Sequence, residues 1–216
     1  MKTRVKICCI ADRQEARQAI ALGASAIGLV GHMPSGPGVI PDDRIAEIAH
    51  AAPPGISTFL LTSETGAPAI LRHLQRVHTN TVQLVDRMTP EIYTMIRATL
   101  PALKIIQVVH VLDEGSVEEA VAVAPLVDAL LLDSGNPNLA VKELGGTGRT
   151  HDWRLSHSIC EQVPVPVFLA GGLHAGNARA AIDAVHPFGL DICSGVRTDG
   201  KLDPHKLEKF LYAINA

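Results

Sequence analysis

What most constrains this chain is a rhythm. Short β-rich apolar runs at residues 5–10, 26–30, 57–61, 82–85, 104–111, 129–133, 167–170 and 190–194 alternate with stretches whose apolar positions recur at helical spacing. Ile92, Met95, Ile96 and Leu100 show that spacing, as do Leu207, Phe210, Leu211 and Ile214. Thr89-Pro90 and Asp203-Pro204 each offer a capping side chain followed by a proline at the first helical position, where its missing N–H costs nothing. Gly23, after Ala19-Ile20-Ala21-Leu22, reads as a helix stop. Eight βα units in 216 residues predict a (β/α)8 TIM barrel in one domain over residues 1–216, with an open doubly wound sheet as the alternative topology. With 47% hydrophobic but only 3% aromatic residues, the core must be built from Ala, Val, Leu and Ile, which suits a parallel sheet covered by helices.

Charge and cysteine usage narrow the partners. Nineteen Lys and Arg against 22 Asp and Glu give a net charge of -3, which leaves no basic excess to release counterions from nucleic acid. The longest apolar tract, residues 121–132, is broken by Pro125 and Asp128 and is shorter than the ~18 residues a membrane helix needs. The start runs into Asp12 and Arg13 before a signal-peptide apolar region can form, so a cytoplasmic location is expected, with neither membrane nor nucleic-acid partner. Four cysteines, two of them adjacent at Cys8 and Cys9, make a poor disulfide framework, and no CxxC pair or histidine cluster has zinc spacing. Reduced thiols and no metal are expected.

In a barrel, function is sought at the C-terminal ends of the strands. Cys8 lies near the end of the first run, and Cys9 should point the opposite way. Cys8 is either a base or nucleophile, or a small buried hydrophobe. Asp133 closes the sixth run after Ala129-Leu130-Leu131-Leu132. Partial burial there would raise its pKa and suit a general acid, the plainer alternative being a loop or capping carboxylate. Gly171-Gly172 closes the seventh run and Ser194-Gly195 the eighth, where backbone amides can approach a phosphate, with tight-turn geometry as the other reading. Two long connections, residues 32–41 and 134–151, follow strand ends, the second carrying Gly-Gly-Thr-Gly. His32 and His110 also lie near strand ends, without an assigned role.

Those residues belong to a pattern. Val5-Lys6-Ile7-Cys8, the block Gly145-Gly146-Thr147-Gly148-Arg149-Thr150-His151-Asp152-Trp153, Leu169-Ala170-Gly171-Gly172-Leu173 with Asn177, and Asp191-Ile192-Cys193-Ser194-Gly195-Val196 together resemble the phosphoribosylanthranilate isomerase family across almost the whole chain. The resemblance implies a small phosphosugar substrate and an Amadori rearrangement that needs no cofactor, because the substrate nitrogen is the electron sink. It implies that Asp133 protonates the ribose ring oxygen, that Cys8 removes the C2′ proton, and that Gly171, Gly172, Ser194 and Gly195 hold the phosphate. Gly146, Arg149, Asp191 and Arg197 are expected to contact substrate in the same way. Whether such a chain works as a monomer or a homodimer is open at this level.

The chain also departs from that pattern. Cys9 stands where the family has glycine, Pro37 where it has an arginine for the anthranilate carboxylate, Val85-Asp86 where it has His-Gly, and Arg197 where it has glutamate. Arg149 or Arg197 would then have to reach the carboxylate instead. Two further readings follow: an isomerase or ring-opening enzyme for another phosphosugar lacking the carboxylate, and a catalytically silent barrel that binds a phosphometabolite.

Overall fold

Where each helix starts and stops follows from local chemistry. In the computed structural model, which describes residues 3–215, Asp12 accepts hydrogen bonds from the amides of Gln14 and Glu15 to open α1 (Arg13–Leu22), and Gly23 closes it at φ 115°. Asp203 caps α8 (Pro204–Asn215) through the amides of His205 and Lys206. Pro90 opens α4 (Pro90–Thr99) as expected, but the Thr89 hydroxyl makes no capping bond, so proline alone marks that start. The other helices are α2 (Asp42–Ala51), α3 (Ala67–Val77), α5 (Gly115–Val123), α6 (Trp153–Gln162) and α7 (Ala178–Val185).

Between them run β1 (Arg4–Ile7), β2 (Ala26–Val30), β3 (Ser57–Thr62), β4 (Thr81–Leu84), β5 (Lys104–His110), β6 (Ala129–Asp133), β7 (Val167–Leu169) and β8 (Gly189–Ile192). All pair in parallel, in chain order, and β1 closes on β8 in the register Val5↔Leu190 and Ile7↔Ile192. The predicted barrel is therefore the observed one, and the doubly wound alternative is discarded. β8 ends at Ile192, two residues short of expectation, because Ser194–Val196 turn into a single 3-10 turn. A short hairpin, β9 (Arg197–Thr198) with β10 (Lys201–Leu202), follows it.

Alternation along the strands splits the core in two. Ile27, Leu29, Leu60, Leu84, Leu130 and Leu132 face the helices, while Phe59, Ile106, Val108, Leu131 and Phe168 fill the barrel. Phe59 and Phe168 meet edge to face with centroids 5.9 Å apart. Gly189 makes room for that packing, since a Cβ there would come within 2.8 Å of the Phe168 ring. Towards the C-terminal ends the inward positions become polar, with Gln83, His110, Asp133 and Asp191 all buried. Among the described residues no helix is long and apolar enough to cross a membrane.

Candidate active site at the C-terminal mouth

Those polar ends surround a pocket enclosing about 740 Å³, part of it open to solvent. Cys8, just past β1, and Asp133, at the end of β6, both line it from different sides of the barrel. Asp133 is buried, with one carboxylate oxygen accepting from the Ser134 amide at 2.8 Å. Burial pushes its pKa up, and the Ser134 hydrogen bond only partly opposes this, so the carboxyl holds its proton to higher pH than in water. Cys8 is buried as well, its amide bonded to the Ile192 carbonyl across the β1–β8 seam at 2.8 Å.

Beneath Cys8 lies a feature the sequence reading missed. Lys6, fully buried, donates to Asp191 at 2.9 Å and sits 5.2 Å from the centre of the Phe59 ring. Burial disfavours its ammonium, but the Asp191 charge and neighbouring thiols more than offset this and its pKa ends above the ordinary lysine value. Glycine at position 28 accommodates the arrangement, because a Cβ there would fall 2.9 Å from the Cys8 sulfur and 3.1 Å from the Lys6 nitrogen. The available signal was a lysine two residues before Cys8, in the same strand phase, within an otherwise apolar run.

Cys9 departs from expectation. Strand alternation would turn it away from Cys8, but β1 ends at Ile7 and Cys9 has φ 62°, so its side chain also faces the mouth and lines the pocket. Its sulfur lies 2.9 Å from that of Cys193, just past β8.

On the β7–β8 side, Gly171 and Gly172 have φ of 86° and 60°. They line the pocket together with Ser194. A Cβ on Gly172 would meet the Arg149 backbone at 2.7 Å, so the loop after β6 rests directly on it. Asn177 fixes this turn by donating to the Gly172 carbonyl and accepting from the His174 amide. Gly195 lies just behind the lining in the 3-10 turn, where a Cβ would stand 2.1 Å from the Leu173 carbonyl oxygen. Gly195→Ala is accordingly expected to push the β8 end out of place and to lower the melting temperature, which a thermal melt checks.

The opposite side is apolar, formed by Val30, Met33, Leu61, Val85 and Leu144, and Pro37 packs where a Cβ on Gly146 would come within 2.6 Å. Gly146 and Asp191 line the pocket, whereas Arg149 and Arg197 do not. Arg149 is largely exposed and pairs with Glu143. Arg197 is buried against Glu15 at 3.3 Å and donates to the backbone carbonyls of Cys8 and Cys9. It pins the end of β1 rather than facing a ligand. No lysine, arginine or histidine side chain lines the pocket among the described residues. Of the two histidines noted in the sequence, His110 donates from Nε2 to the Val85 carbonyl, 3.1 Å away, and His32 accepts from the Ser63 hydroxyl through its own carbonyl; neither lines the pocket. No group of three potential metal ligands occurs among the described residues.

The loops at the mouth are tied to one another. Ser35 donates to the Lys142 carbonyl at 2.7 Å, the Lys142 ammonium pairs with Asp86, and the Ser134 and Thr147 hydroxyls are bonded at 2.7 Å.

A closed parallel barrel whose strand ends converge on a buried carboxyl and a thiol, facing glycine turns, defines the class of (β/α)8 enzymes that act on small molecules at the C-terminal face. Residues 5–213 match the family model described as N-(5'phosphoribosyl)anthranilate (PRA) isomerase. A relative of that name from Methanocella arvoryzae is 32% identical over 213 residues, spanning 98% of each chain. Another from Haloferax volcanii is 35% identical and spans 94% of this chain and 88% of its own. Among solved structures, phosphoribosyl anthranilate isomerase from Thermotoga maritima superposes with a TM-score of 0.83 at 29% identity, covering 99% of this chain and 98% of that one. A phosphoribosyl anthranilate isomerase in complex with reduced 1-(o-carboxyphenylamino)-1-deoxyribulose 5-phosphate gives 0.82 at 28% identity with the same coverage. The chain belongs to the N-(5'-phosphoribosyl)anthranilate isomerase family.

Proposed function

We propose that this chain catalyses the Amadori rearrangement of N-(5'-phosphoribosyl)anthranilate to the 1-deoxyribulose 5-phosphate aminoketose, the isomerase step of tryptophan biosynthesis, with Asp133 as general acid and Cys8 as general base. The observation that carries this is the presence of a proton-retaining buried carboxyl and a thiol in one pocket of a chain of this family. Asp133 protonates the ribose ring oxygen, the C1′–O bond breaks, and the anilino nitrogen takes up the positive charge as an iminium. Cys8 removes the C2′ proton, and the resulting enaminol gains a proton at C1′ as its C2′ hydroxyl becomes a ketone. Gly171, Gly172, Ser194 and Gly195 hold the phosphate through backbone amides and the serine hydroxyl. Gly146 and Asp191 contact the sugar, with Asp191 held in place by Lys6. The proposed partner is a small phosphosugar rather than a nucleic acid, and the proposed setting is the cytoplasm. The Thermotoga maritima relative is described as dimeric with generated monomers, and either state, monomer or homodimer, suits this chain. Expression in a strain lacking the isomerase should restore growth without tryptophan. Failure despite soluble protein would sink the proposal.

The pocket favours a second reading of the aglycone. With no cationic side chain in the lining, and Arg149 and Arg197 engaged by Glu143 and Glu15, a substrate carboxylate finds no charged fork. A site built around a charged partner rejects an analogue lacking it by a large factor, because its own buried donor is left unpaired. Here kcat/KM for phosphoribosylanthranilate should therefore exceed that for the aniline analogue by less than ~10²-fold. A larger preference that survives Arg149→Ala and Arg197→Ala would assign the carboxylate to another residue.

A further inference from the structure

We propose that Cys9 and Cys193 are a modification site: a pair of thiols that a small organic disulfide converts to an internal disulfide across the barrel mouth, switching the site off reversibly. Three features place them together. β1 and β8 are paired through Ile7↔Ile192, so the residues that follow are neighbours across the seam where the barrel closes. The left-handed backbone of Cys9 turns its side chain towards that seam, bringing its sulfur to 2.9 Å from the Cys193 sulfur. Gly38, at φ 82°, lies against Cys9 with no side chain to intervene, since a Cβ there would stand 2.5 Å from that of Cys9. Both thiols line the pocket, Cys9 buried and Cys193 partly exposed, so a disulfide entering from the mouth meets Cys193 first.

The pair is electrostatically asymmetric. Their shared hydrogen bond pushes the Cys9 thiol up and pulls Cys193 down, with the Arg197 guanidinium further favouring the Cys193 thiolate. Cys193 is thus the attacking sulfur. Its thiolate displaces one thiolate from the organic disulfide and forms a mixed disulfide. The Cys9 sulfur, giving up its proton to that leaving thiolate, then attacks Cys193 and expels the second. Two protein thiols are oxidised and one disulfide is reduced to two thiols.

The bond would tie the residue after Cys8 to the residue before Ser194, fixing the spacing between the proposed base and the proposed phosphate grip. Misplacing a reacting group by about 1 Å can cost ~10²-fold. The effect on turnover rests on the function proposed above, whereas the disulfide is read independently of it.

The test treats the full chain with oxidised glutathione, maps the product by peptide mass spectrometry, and measures kcat/KM before treatment, after it, and after dithiothreitol. The expected product is one disulfide joining the Cys9 and Cys193 peptides, with Cys160 free and kcat/KM lowered by ~10²-fold until the reductant restores it. Cys193→Ser should show an oxidised-to-reduced activity ratio near one. Cys9→Gly, which suits the left-handed backbone, gives the same readout should the first variant fail to fold. No disulfide, a disulfide between other cysteines, an oxidised form of full activity, or equal sensitivity in both variants overturns the proposal.

Discussion

Asp133→Asn is expected to lower kcat by ~10²-fold or more while leaving the barrel folded, since positioned proton transfer contributes ~10²–10⁴-fold and the amide keeps an oxygen for the Ser134 N–H. Cys8→Ser should fall comparably, because a hydroxyl is a far weaker base than a thiolate. Stability should move the other way for Asp133. Its folded pKa is raised, so the native state binds the proton more tightly than the unfolded chain does. The resulting stabilisation is fully present below the unfolded carboxylate value and is lost as pH rises through the folded one. At neutral pH, above the unfolded value, keeping this carboxyl buried therefore costs stability, and the asparagine variant should melt at least as high as the parent, with a margin that narrows on acidification. Steady-state rates and thermal melts at several pH values check both halves. A variant with kcat near that of the parent would remove Asp133 from the mechanism.

Lys6→Met is expected to cost about 3–5 kcal/mol, because deleting one member of a buried pair leaves the other charge unpaired in a dry site. For a chain of this size that is roughly a 6–20 °C fall in melting temperature. Adding Asp191→Asn to Lys6→Met should recover most of the loss, since the orphaned charge then disappears. Because the Lys6 pKa is raised, the contribution from protonating this lysine is fully present below the ordinary lysine value of about 10.4 and is lost as pH rises above it. Urea titration of the two variants measures the coupling. A single variant within about 1 kcal/mol of the parent would show that water reaches the pair.

How far the sequence reveals this molecule depends on the range of the interaction. The strands were legible because each is covered on both faces and so reads as an apolar run: Ala129-Leu130-Leu131-Leu132 predicts β6 almost residue for residue. The mouth was legible as a region, since Cys8, Asp133, Gly171, Gly172 and Ser194 all sit at strand ends and all line one pocket. The orientation of Cys9 was not, because a single left-handed residue reverses the alternation and nothing local announces it. Nor was the Lys6–Asp191 pair, whose partners are 185 positions apart. Arg197 shows the same limit. Its place after Ser194-Gly195-Val196 suggests a ligand contact, but Glu15 and two β1-end carbonyls capture it through contacts only the closed barrel creates.

That seam has a bearing on how the protein is made. The Lys6–Asp191 pair, the Cys8–Ile192 hydrogen bond and the Arg197–Glu15 bridge each join the beginning of the chain to its last quarter. On a ribosome adding about 5–20 residues per second, β1 waits roughly 9–36 seconds for β8 to emerge. Throughout that interval the nascent sheet carries two unpaired edges, the exposed side of β1 and that of the strand most recently added, finally β7, and a lysine and a thiol without their eventual surroundings. Substitutions that slow docking of β8, such as a bulky residue at Gly189 against Phe168, would then lengthen the aggregation-prone stage without altering any group that touches substrate. The thiol proposed as base is synthesised long before the strand that completes its surroundings.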